Sequence, residues 1–275
     1  MTKWGFIGCG SLSQALINGA LKKKLIKPHS IFITNRTLSK SKSFSQKTKV
    51  KIAKDNQFLI ENSDIIFIGT KPNDIIQILE QLKASEIKNK IVISLAEGVE
   101  GATLKKFCNK ARAIIRVMAN TPVTIQEGFF GVLCVKSNRS DKKKVLGFLA
   151  NMGHPVLVKN DFQINVITAG VASGGGFVFS FMEEYEKWFR KKGLSPAQSR
   201  EATVLTFLGT AALAKSEAKT SLADLRMKVT SKKGTTFAGL KALQQRRVGA
   251  GLKSGLDAAF KRSGEIAKSL RQSQK

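Results

Sequence analysis

Cysteine and histidine are scarce, which argues against the common disulfide and zinc frameworks. The 275 residues include three cysteines and two histidines. The cysteines are widely spaced without a CxxC pair, and no HExxH motif occurs, so the spacing indicates neither a disulfide pattern nor a zinc ligand set. We expect reduced thiols in a cytoplasmic protein with no bound metal. His29 and His154, in a turn and at a strand start, are interpreted as structural.

Long apolar runs are also lacking. No run approaches the roughly 18 apolar residues that a membrane span needs. The N-terminal sequence MTKWGFIGCG has a strand-like pattern that differs from a signal peptide. We therefore expect no membrane association.

Acidic residues are few relative to basic ones, at 19 against 47, which gives a net charge of +28. Residues 1–160 contain 27 basic and 10 acidic residues, and the remainder contains 20 and 9. The excess is thus spread over both halves, whereas nucleic-acid binders usually cluster it on one face or arm. Short lysine runs are interpreted as solvated helix faces, and nucleic acid is not expected as a partner.

Short apolar segments alternate with amphipathic or polar ones through the first 160 residues. This alternation is typical of buried parallel strands joined by right-handed crossover helices. It predicts an α/β fold, with a doubly wound sheet in residues 1–160 and an all-α domain in residues 161–275, where the strand pattern ends. The polar segment at 37–48 receives no element. The predicted strands lie at 3–8, 30–36, 64–72, 90–99, 112–122, 131–137 and 154–159, with helices at 73–83 and 140–152.

The segment GCGSLS joins the first predicted strand to the first helix. Gly8 and Gly10 would let the backbone approach a pyrophosphate, and the helix N-terminus favours its charge. Ser13, at the position of the third glycine in such motifs, is small enough to keep the helix near the sheet. The context favours a dinucleotide-binding turn over a strand–helix turn without a ligand.

The end of the second strand bears on the choice of cofactor. An NAD-binding fold usually has Asp or Glu there for the ribose 2′-hydroxyl. This chain has Asn35, Arg36 and Thr37, with Lys40 one helical turn later. Because the cations suit a 2′-phosphate and no carboxylate follows this strand, NADP(H) is preferred, with NAD(H) possible.

Several motifs in order along nearly the whole chain resemble the pyrroline-5-carboxylate reductase family. The resemblance implies an N-terminal Rossmann-type NAD(P)-binding domain and a helical domain that binds substrate and forms a homodimer or higher homo-oligomer. It also implies hydride transfer to the imine carbon of 1-pyrroline-5-carboxylate, the last step of proline biosynthesis. The motifs are GFIGCGSLSQALINGAL, DIIFIGTKP, VISLAEGV, RVMANTP, TAGVASGGGFVFSFMEE and LRMKVTSKKGTTFAGL.

The resemblance also implies roles for individual residues. Thr236 and Ser231 would be catalytic, and hydroxyls and backbone N–H groups at a helix N-terminus would hold the substrate carboxylate. Ordinary N-capping is the alternative for these hydroxyls. The substrate-binding set is Ser231, Gly234, Thr235, Thr236 and Ser173. The cofactor-binding set is Gly8, Gly10, Ser11, Leu12, Asn35, Arg36, Asn56, Lys71, Pro72, Ala96, Gly98, Asn120 and Thr121.

Departures from the family pattern concentrate on the substrate side. Ala119 replaces the proline of MPNTP, residues 171–177 depart from SGSGPAY, Met227 replaces a usual Asp, and Lys232-Lys233 replace the Pro-Gly of SPGGTT. Two other hypotheses therefore stay open. One is an NADP-dependent imine or keto-acid reductase of other specificity. The other is a catalytically impaired dinucleotide-binding protein whose basic surface holds an acidic partner or nucleic acid.

Overall fold

A computed structural model describes residues 1–70, 72–84 and 87–272. The chain divides into two compact units, one comprising Met1–Ser173 and the chain from Ala259 onward, the other Gly174–Ala258. This division differs from the predicted boundary at residue 160. Residues 161–173 belong to the first unit because Ile164 is buried in a cluster with Met118 and Leu133.

The first unit is built around eight strands among the described residues. They are β1 (Trp4–Ile7), β2 (Ile31–Thr34), β3 (Lys51–Ile52), β4 (Ile65–Ile68), β5 (Ile91–Ser94), β6 (Ala113–Ala119), β7 (Gly128–Lys136) and β8 (Gly153–Leu157).

These strands form one sheet in the order β3-β2-β1-β4-β5-β6-β7-β8. The first six are mutually parallel, as predicted, β7 is antiparallel to β6, and β8 is parallel to β7. The purely parallel alternation therefore ends at β6. Residues 120–127, which join β6 to β7, are too few for a crossover helix, since a parallel return needs a dozen residues or more.

Twelve α-helices occur in the described residues, with 3-10 turns at Pro28–Ser30 and Thr121–Ile125 and a π-helical turn at Thr168–Ala172. The helices are α1 (Ser11–Lys22), α2 (Leu38–Thr48), α3 (Asn56–Glu61), α4 (Pro72–Ala84), α5 (Gly101–Cys108), α6 (Arg139–Ala150), α7 (Asp161–Ile167), α8 (Gly174–Lys191), α9 (Pro196–Ser216), α10 (Leu222–Lys228), α11 (Thr235–Gln245) and α12 (Val248–Gln272).

Helices cover both faces of the sheet, which confirms the doubly wound prediction. On one face, the rings of Phe6 and Phe67 stack with centroids 4.7 Å apart. Leu16 of α1 and Phe148 of α6 are buried in the same cluster. Alternate strand residues face opposite sides, so each strand supplies a second set of side chains to the other face.

The other face carries α3, α4, α5 and the end of α12. Ile7 and Ile66 from the strands are buried there with Leu79 of α4, Leu104 of α5 and Leu270 of α12. The part of α12 from Ala259 onward thus belongs to the first unit.

The polar segment without a predicted element is helical over most of its length, as α2. Only Ser41 and Phe44 of this helix are buried. Because one apolar side chain supplies its packing, the hydrophobic period that would predict a helix is too weak to detect.

The second unit consists of helices whose apolar side chains are largely exposed. In the single chain α8, α10 and α11 have no buried residue. Ser195 caps α9 in a capping box with Gln198, and Pro196 begins the helix. Phe179 and Leu208 are 63% and 62% exposed. Such faces are typical of a domain completed by another polypeptide.

One helical run among the described residues passes a length-and-composition test for a membrane span. The run Asp161–Lys191 has an 18-residue window of mean hydropathy 1.5, of which 17% is buried. The expectation that no apolar run approaches this length is not met by this test, which averages hydropathy over 18 residues and so accepts the polar residues within the segment. Core helices of soluble proteins pass the same test, and the absence of membrane association stays a prediction.

Candidate active site

A cleft of about 560 Å³ opens where β1, β2 and β4 end. The chain leaves β1 toward β2 on one side and continues at β4 on the other. Such a switch point at the carboxyl edge of the strands is where doubly wound sheets bind ligands. Five of the predicted cofactor residues line the cleft: Gly8, Gly10, Asn35, Arg36 and Asn56.

Gly8 makes the turn at the bottom of the cleft. Its φ of +89° lies in the left-handed region, and a Cβ there would come within 2.8 Å of the Gly69 backbone. Its N–H donates to the Thr34 carbonyl at 3.0 Å. The buried Ser13 hydroxyl donates to the Gly8 carbonyl at 2.7 Å. Ser13 is thus more than the small residue that the sequence predicts, since it also holds the turn.

The N-terminus of α1 faces the cleft without a side-chain cap. Gly10 is its N-cap residue and provides no hydrogen bond to the first turn. The first N–H groups of a helix have no intrahelical acceptor, and together with the helix dipole they suit a pyrophosphate. Ser11 is exposed on this turn, whereas Leu12 is half-buried and packs against the core.

Cys9 lies between these two glycines with its side chain buried. Burial raises the pKa of the Cys9 thiol to about 11, and the hydrogen bond from Gln14 acts in the opposite direction. The thiol is therefore protonated at neutral pH and is not a nucleophile.

Arg36 extends over the cleft opening and is 77% exposed. One of its terminal nitrogens lies 3.3 Å from both carboxylate oxygens of Asp74 on α4. Asp74 also lines the cleft. The pattern after β2 does not predict this carboxylate, because Asp74 lies 38 residues after Arg36 and follows a different strand.

Asn56 is fixed by two side-chain hydrogen bonds at the side of the cleft. Its amide oxygen accepts from the Thr34 hydroxyl at 2.7 Å, and its amide nitrogen donates to Gln81 at 2.9 Å. A pre-oriented amide of this kind suits a sugar hydroxyl. Asn35, next to Arg36, is half-buried.

The next predicted cofactor residues lie at the ends of β4 and β5, away from the cleft lining. Ala96 is buried and its N–H donates to the Ser94 hydroxyl at 3.3 Å. Gly98 has a φ of +77°, and a Cβ there would come within 2.7 Å of Ile266 on α12. Pro72 begins α4, and Lys71 lies outside the described residues. Their cofactor roles stay predictions.

Asn120 and Thr121 follow β6 and also lie outside the cleft lining. The Asn120 amide oxygen accepts from the Phe129 N–H at 2.8 Å, which fixes the start of β7. Thr121 is exposed, and its carbonyl accepts from the Thr124 hydroxyl at 3.0 Å. Their predicted place by the nicotinamide is likewise untested.

In the second unit, the predicted substrate residues lie together where a tight loop enters α11. Gly234 is the N-cap residue of α11, again without a side-chain cap, and its N–H donates to the Ser231 carbonyl at 3.1 Å. A Cβ at Gly234 would collide with the Ser231 hydroxyl. Thr235 and Thr236 are exposed in the first turn. The loop thus presents three hydroxyls and uncapped N–H groups, a suitable set for a carboxylate.

Lys233 is the irregular residue of this loop. Its φ of +58° lies in the left-handed region, which glycine adopts more readily. The family pattern has glycine at this position, so the substitution retains the turn at a conformational cost.

Ser173, the remaining predicted substrate residue, is exposed at the end of the first unit. Its N–H donates to the Thr168 carbonyl at 2.9 Å and closes the π-helical turn. Turns of this kind are frequent at functional sites.

A buried ion pair beside β6 escaped the sequence argument. Arg116 is 1% exposed, and one terminal nitrogen lies 2.6 Å from the Asp161 carboxylate at the start of α7. Asp161 also accepts from the Gly101 N–H at 3.1 Å. The other two Arg116 nitrogens have no hydrogen-bond partner among the described residues. The pair fixes the beginning of the helical run, and its partners are 45 residues apart in sequence.

Two family models match the chain. Residues 3–98 match the model described as NADP oxidoreductase, coenzyme F420-dependent, and residues 161–266 match the model for pyrroline-5-carboxylate reductase dimerisation. The second match begins at the predicted domain boundary and covers the helical unit, which identifies it as a dimerisation domain.

Relatives and solved structures match over nearly the full length. Pyrroline-5-carboxylate reductase 2 of Bacillus subtilis is 31% identical over 97% of this chain and 95% of its own. The structure of a pyrroline-5-carboxylate reductase from Coxiella burnetii is 31% identical, with a TM-score of 0.85 over 97% of this chain and 98% of its own. The NADP-bound enzyme of Plasmodium falciparum is 25% identical, with a TM-score of 0.88 over 97% and 98%. The chain belongs to the pyrroline-5-carboxylate reductase family.

Proposed function

We propose that this protein reduces 1-pyrroline-5-carboxylate to L-proline with NADPH. The observation that carries the proposal is the pair of uncapped helix N-termini. One opens onto the cleft at Gly10 and the other carries the hydroxyls at Gly234. They suit the two anionic groups of the reaction, a pyrophosphate and a carboxylate.

The cofactor preference rests on Arg36. With the dinucleotide in the proposed orientation, its guanidinium would lie beside the ribose, where a 2′-phosphate would find a charge-assisted donor. The fit requires Arg36 to exchange Asp74 for the phosphate, and its high exposure leaves it free to do so. NADH lacks that phosphate and would gain nothing from the exchange.

The reaction needs no nucleophile from the protein. When bound, the reduced dinucleotide supplies a hydride from nicotinamide C4 to C5 of the protonated imine, and the C=N electron pair passes to nitrogen to give the secondary amine. The chain's own residues bind and orient. Gly8 and the first turn of α1 would hold the pyrophosphate, Asn56 a ribose hydroxyl, and Ser231 with Thr235 and Thr236 the substrate carboxylate.

We further propose that the protein acts as a homodimer, or a higher homo-oligomer, in the cytoplasm. The exposed apolar side chains of α8 and α9 would be buried against a second copy of the chain. All three thiols are free, which is consistent with a reducing compartment.

A second candidate is a related reductase that acts on a more acidic imine or keto acid. Lys232 and Lys233 favour it, because they place two exposed cations beside the carboxylate-binding loop. Restoring the family's Pro-Gly at these two positions separates the candidates. Higher turnover of pyrroline-5-carboxylate in that variant would favour the first, and loss of turnover of a dicarboxylic imine the second.

The proposal is tested by following NADPH oxidation with racemic 1-pyrroline-5-carboxylate. We expect turnover that falls strongly in Thr236→Ala while NADPH affinity stays unchanged. Turnover with other imines or keto acids alone would support the second candidate. Tight NADPH binding without turnover of any imine would indicate a catalytically impaired protein.

A further inference from the structure

Two lysine triplets that are far apart in sequence lie at the same edge of the sheet. Lys22–Lys24 end α1, and Lys142–Lys144 lie in the first half of α6. The Lys144 ammonium group lies 3.2 Å from the Thr2 hydroxyl, just before β1. Lys22–Lys24 precede the short turn that leads into Ile31 of β2, and Ile31 pairs with Trp4 of β1. Both triplets therefore flank the amino ends of β1 and β2, opposite the edge with the cofactor cleft; we call them the basic edge.

The basic edge is not neutralised by neighbouring carboxylates. Residues 1–54 contain 12 lysines and arginines and no acidic residue. The one carboxylate of α6, Asp141, is buried and paired with Arg112 at 3.1 Å. No described carboxylate forms a salt bridge with either triplet. The numbers of basic and acidic residues in each half of the chain do not reveal this local excess of positive charge, because only the fold brings the two triplets to the same edge of the sheet.

Helix stability does not account for these lysines. A cation in the last turn of α1 interacts favourably with the helix dipole, but cations near the start of α6 do not. α6 nevertheless begins with Arg139 and carries its triplet within six residues. Lys24 has a φ of +55°, a conformation that glycine adopts more readily. The basic residues thus stand where local structure favours other residues.

We propose that the basic edge binds the phosphate backbone of nucleic acid without sequence preference. This goes beyond the reductase activity and does not depend on it. Exposed lysines without interleaved aromatics suit phosphate contacts rather than base reading or stacking.

Two other anionic partners fit this surface less well. Protein–protein interfaces are depleted in lysine and enriched in aromatics and arginine. A membrane surface needs an apolar face beside the lysines. Leu25, 41% exposed, and Met1, 79% exposed and next to Thr2, are single side chains and do not form the apolar helix face that inserts into a membrane.

The test is fluorescence anisotropy with the full-length protein and a labelled duplex DNA of random sequence. We expect binding at low salt that weakens roughly 40-fold between about 50 and 200 mM KCl, the slope for about three released counterions. The variant K142Q/K143Q/K144Q should weaken binding at least tenfold. The matched control K105Q/K106Q/K110Q removes the same charge from α5 and the residues after it, on the other face, and should change it less than twofold.

Three results would overturn the proposal: no binding at low salt, equal weakening by both triple variants, or tighter binding to vesicles that contain anionic lipid than to DNA. Unchanged NADPH affinity and thermal unfolding in both variants establish that the fold is intact, because the basic edge lies away from the cleft.

Discussion

The two units of the chain differ in how completely they bury their own apolar side chains. The first unit has a continuous core on both faces of its sheet, with Phe6, Phe67 and Ile66 fully buried. The second has helices with no buried residue, and Phe179 and Leu208 are more than half exposed. The first unit therefore buries its own apolar side chains, whereas those of the second unit would be buried only against a second copy of the chain.

The same contrast extends to chemistry. The first unit's cleft is closely constrained. The Gly69 backbone leaves no room for a side chain at Gly8, and the Asn56 amide forms hydrogen bonds with Thr34 and Gln81. The loop before α11 in the second unit has exposed hydroxyls and a strained Lys233. With the proposed roles, cofactor binding would depend on a constrained turn, and substrate choice on an exposed loop that departs from the family pattern.

The largest effect is expected where the contrast in burial is greatest. Leu208→Asp would place a carboxylate in the apolar interface, where an unpaired charge costs several kcal/mol. We expect sedimentation velocity to show monomers. Ala218→Asp, in the exposed turn after α9, carries the same charge and should remain dimeric. A dimeric Leu208→Asp variant would contradict the interface.

Thiol reactivity tests whether the buried cysteine side chains of the first unit are accessible to solvent. Burial raises the pKa of Cys9 from 9.0 to about 11 and that of Cys108 to about 12. The Cys9 thiolate is thus about 100-fold rarer at pH 8 than in a free thiol. Mass spectrometry after alkylation should find half-buried Cys134 modified first. Labelling of Cys9 should rise as the pH approaches about 11; early labelling at pH 8 would show that the turn opens.

The loop before α11 should be sensitive to one methyl group. Gly234→Ala would force its Cβ onto the Ser231 hydroxyl, which removes hydrogen bonds to a charged group worth about 1.5–3 kcal/mol. We expect kcat/KM for the imine to fall about 30-fold with NADPH affinity unchanged. Gly239→Ala, in the same helix with open space around it, is the control and should behave as the unaltered protein. Equal effects of the two changes would count against the loop.

Arg36→Ala tests the cofactor side. The exposed guanidinium should contribute toward the lower end of the range for charge-assisted hydrogen bonds, so NADPH affinity should fall about tenfold. NADH affinity should hardly change, and it serves as the internal control in fluorescence titrations. An equal loss of affinity for NADPH and NADH would contradict the assignment of Arg36 to the 2′-phosphate.

The smallest effect is expected at Asp74, whose carboxylate forms an ion pair with Arg36 in the free protein. Asp74→Asn should strengthen NADPH binding about threefold at low salt and leave NADH unchanged, since a surface pair contributes less than about 1 kcal/mol and is screened. Glu80→Gln, exposed on the same helix, is the charge-matched control. Weaker NADPH binding in Asp74→Asn would show that the carboxylate positions Arg36 instead of competing for it.

Sequence reasoning predicts the features that depend on local pattern. The parallel strands β1, β2, β4, β5 and β6 and the glycine turn follow from apolar runs with short connections. The two-residue β3 is exposed and has no such run. The antiparallel direction of β7 is not predicted, because it depends on the length of the connection from β6. The helix α2 is not predicted, because Phe44 is its only buried apolar side chain. In the site, Arg36 follows from its place after β2. Asp74 and the pair of Arg116 and Asp161 do not, because only the folded sheet brings these residues together.

The most direct test of the account is the stoichiometry of the reaction. The purified protein is supplied with NADPH and 1-pyrroline-5-carboxylate, and L-proline is quantified by chiral chromatography against the NADPH consumed. We predict one L-proline for each NADPH oxidised, at a rate that falls in Gly234→Ala and not in Gly239→Ala. NADPH that binds in the cleft without any L-proline being formed would contradict the proposed function.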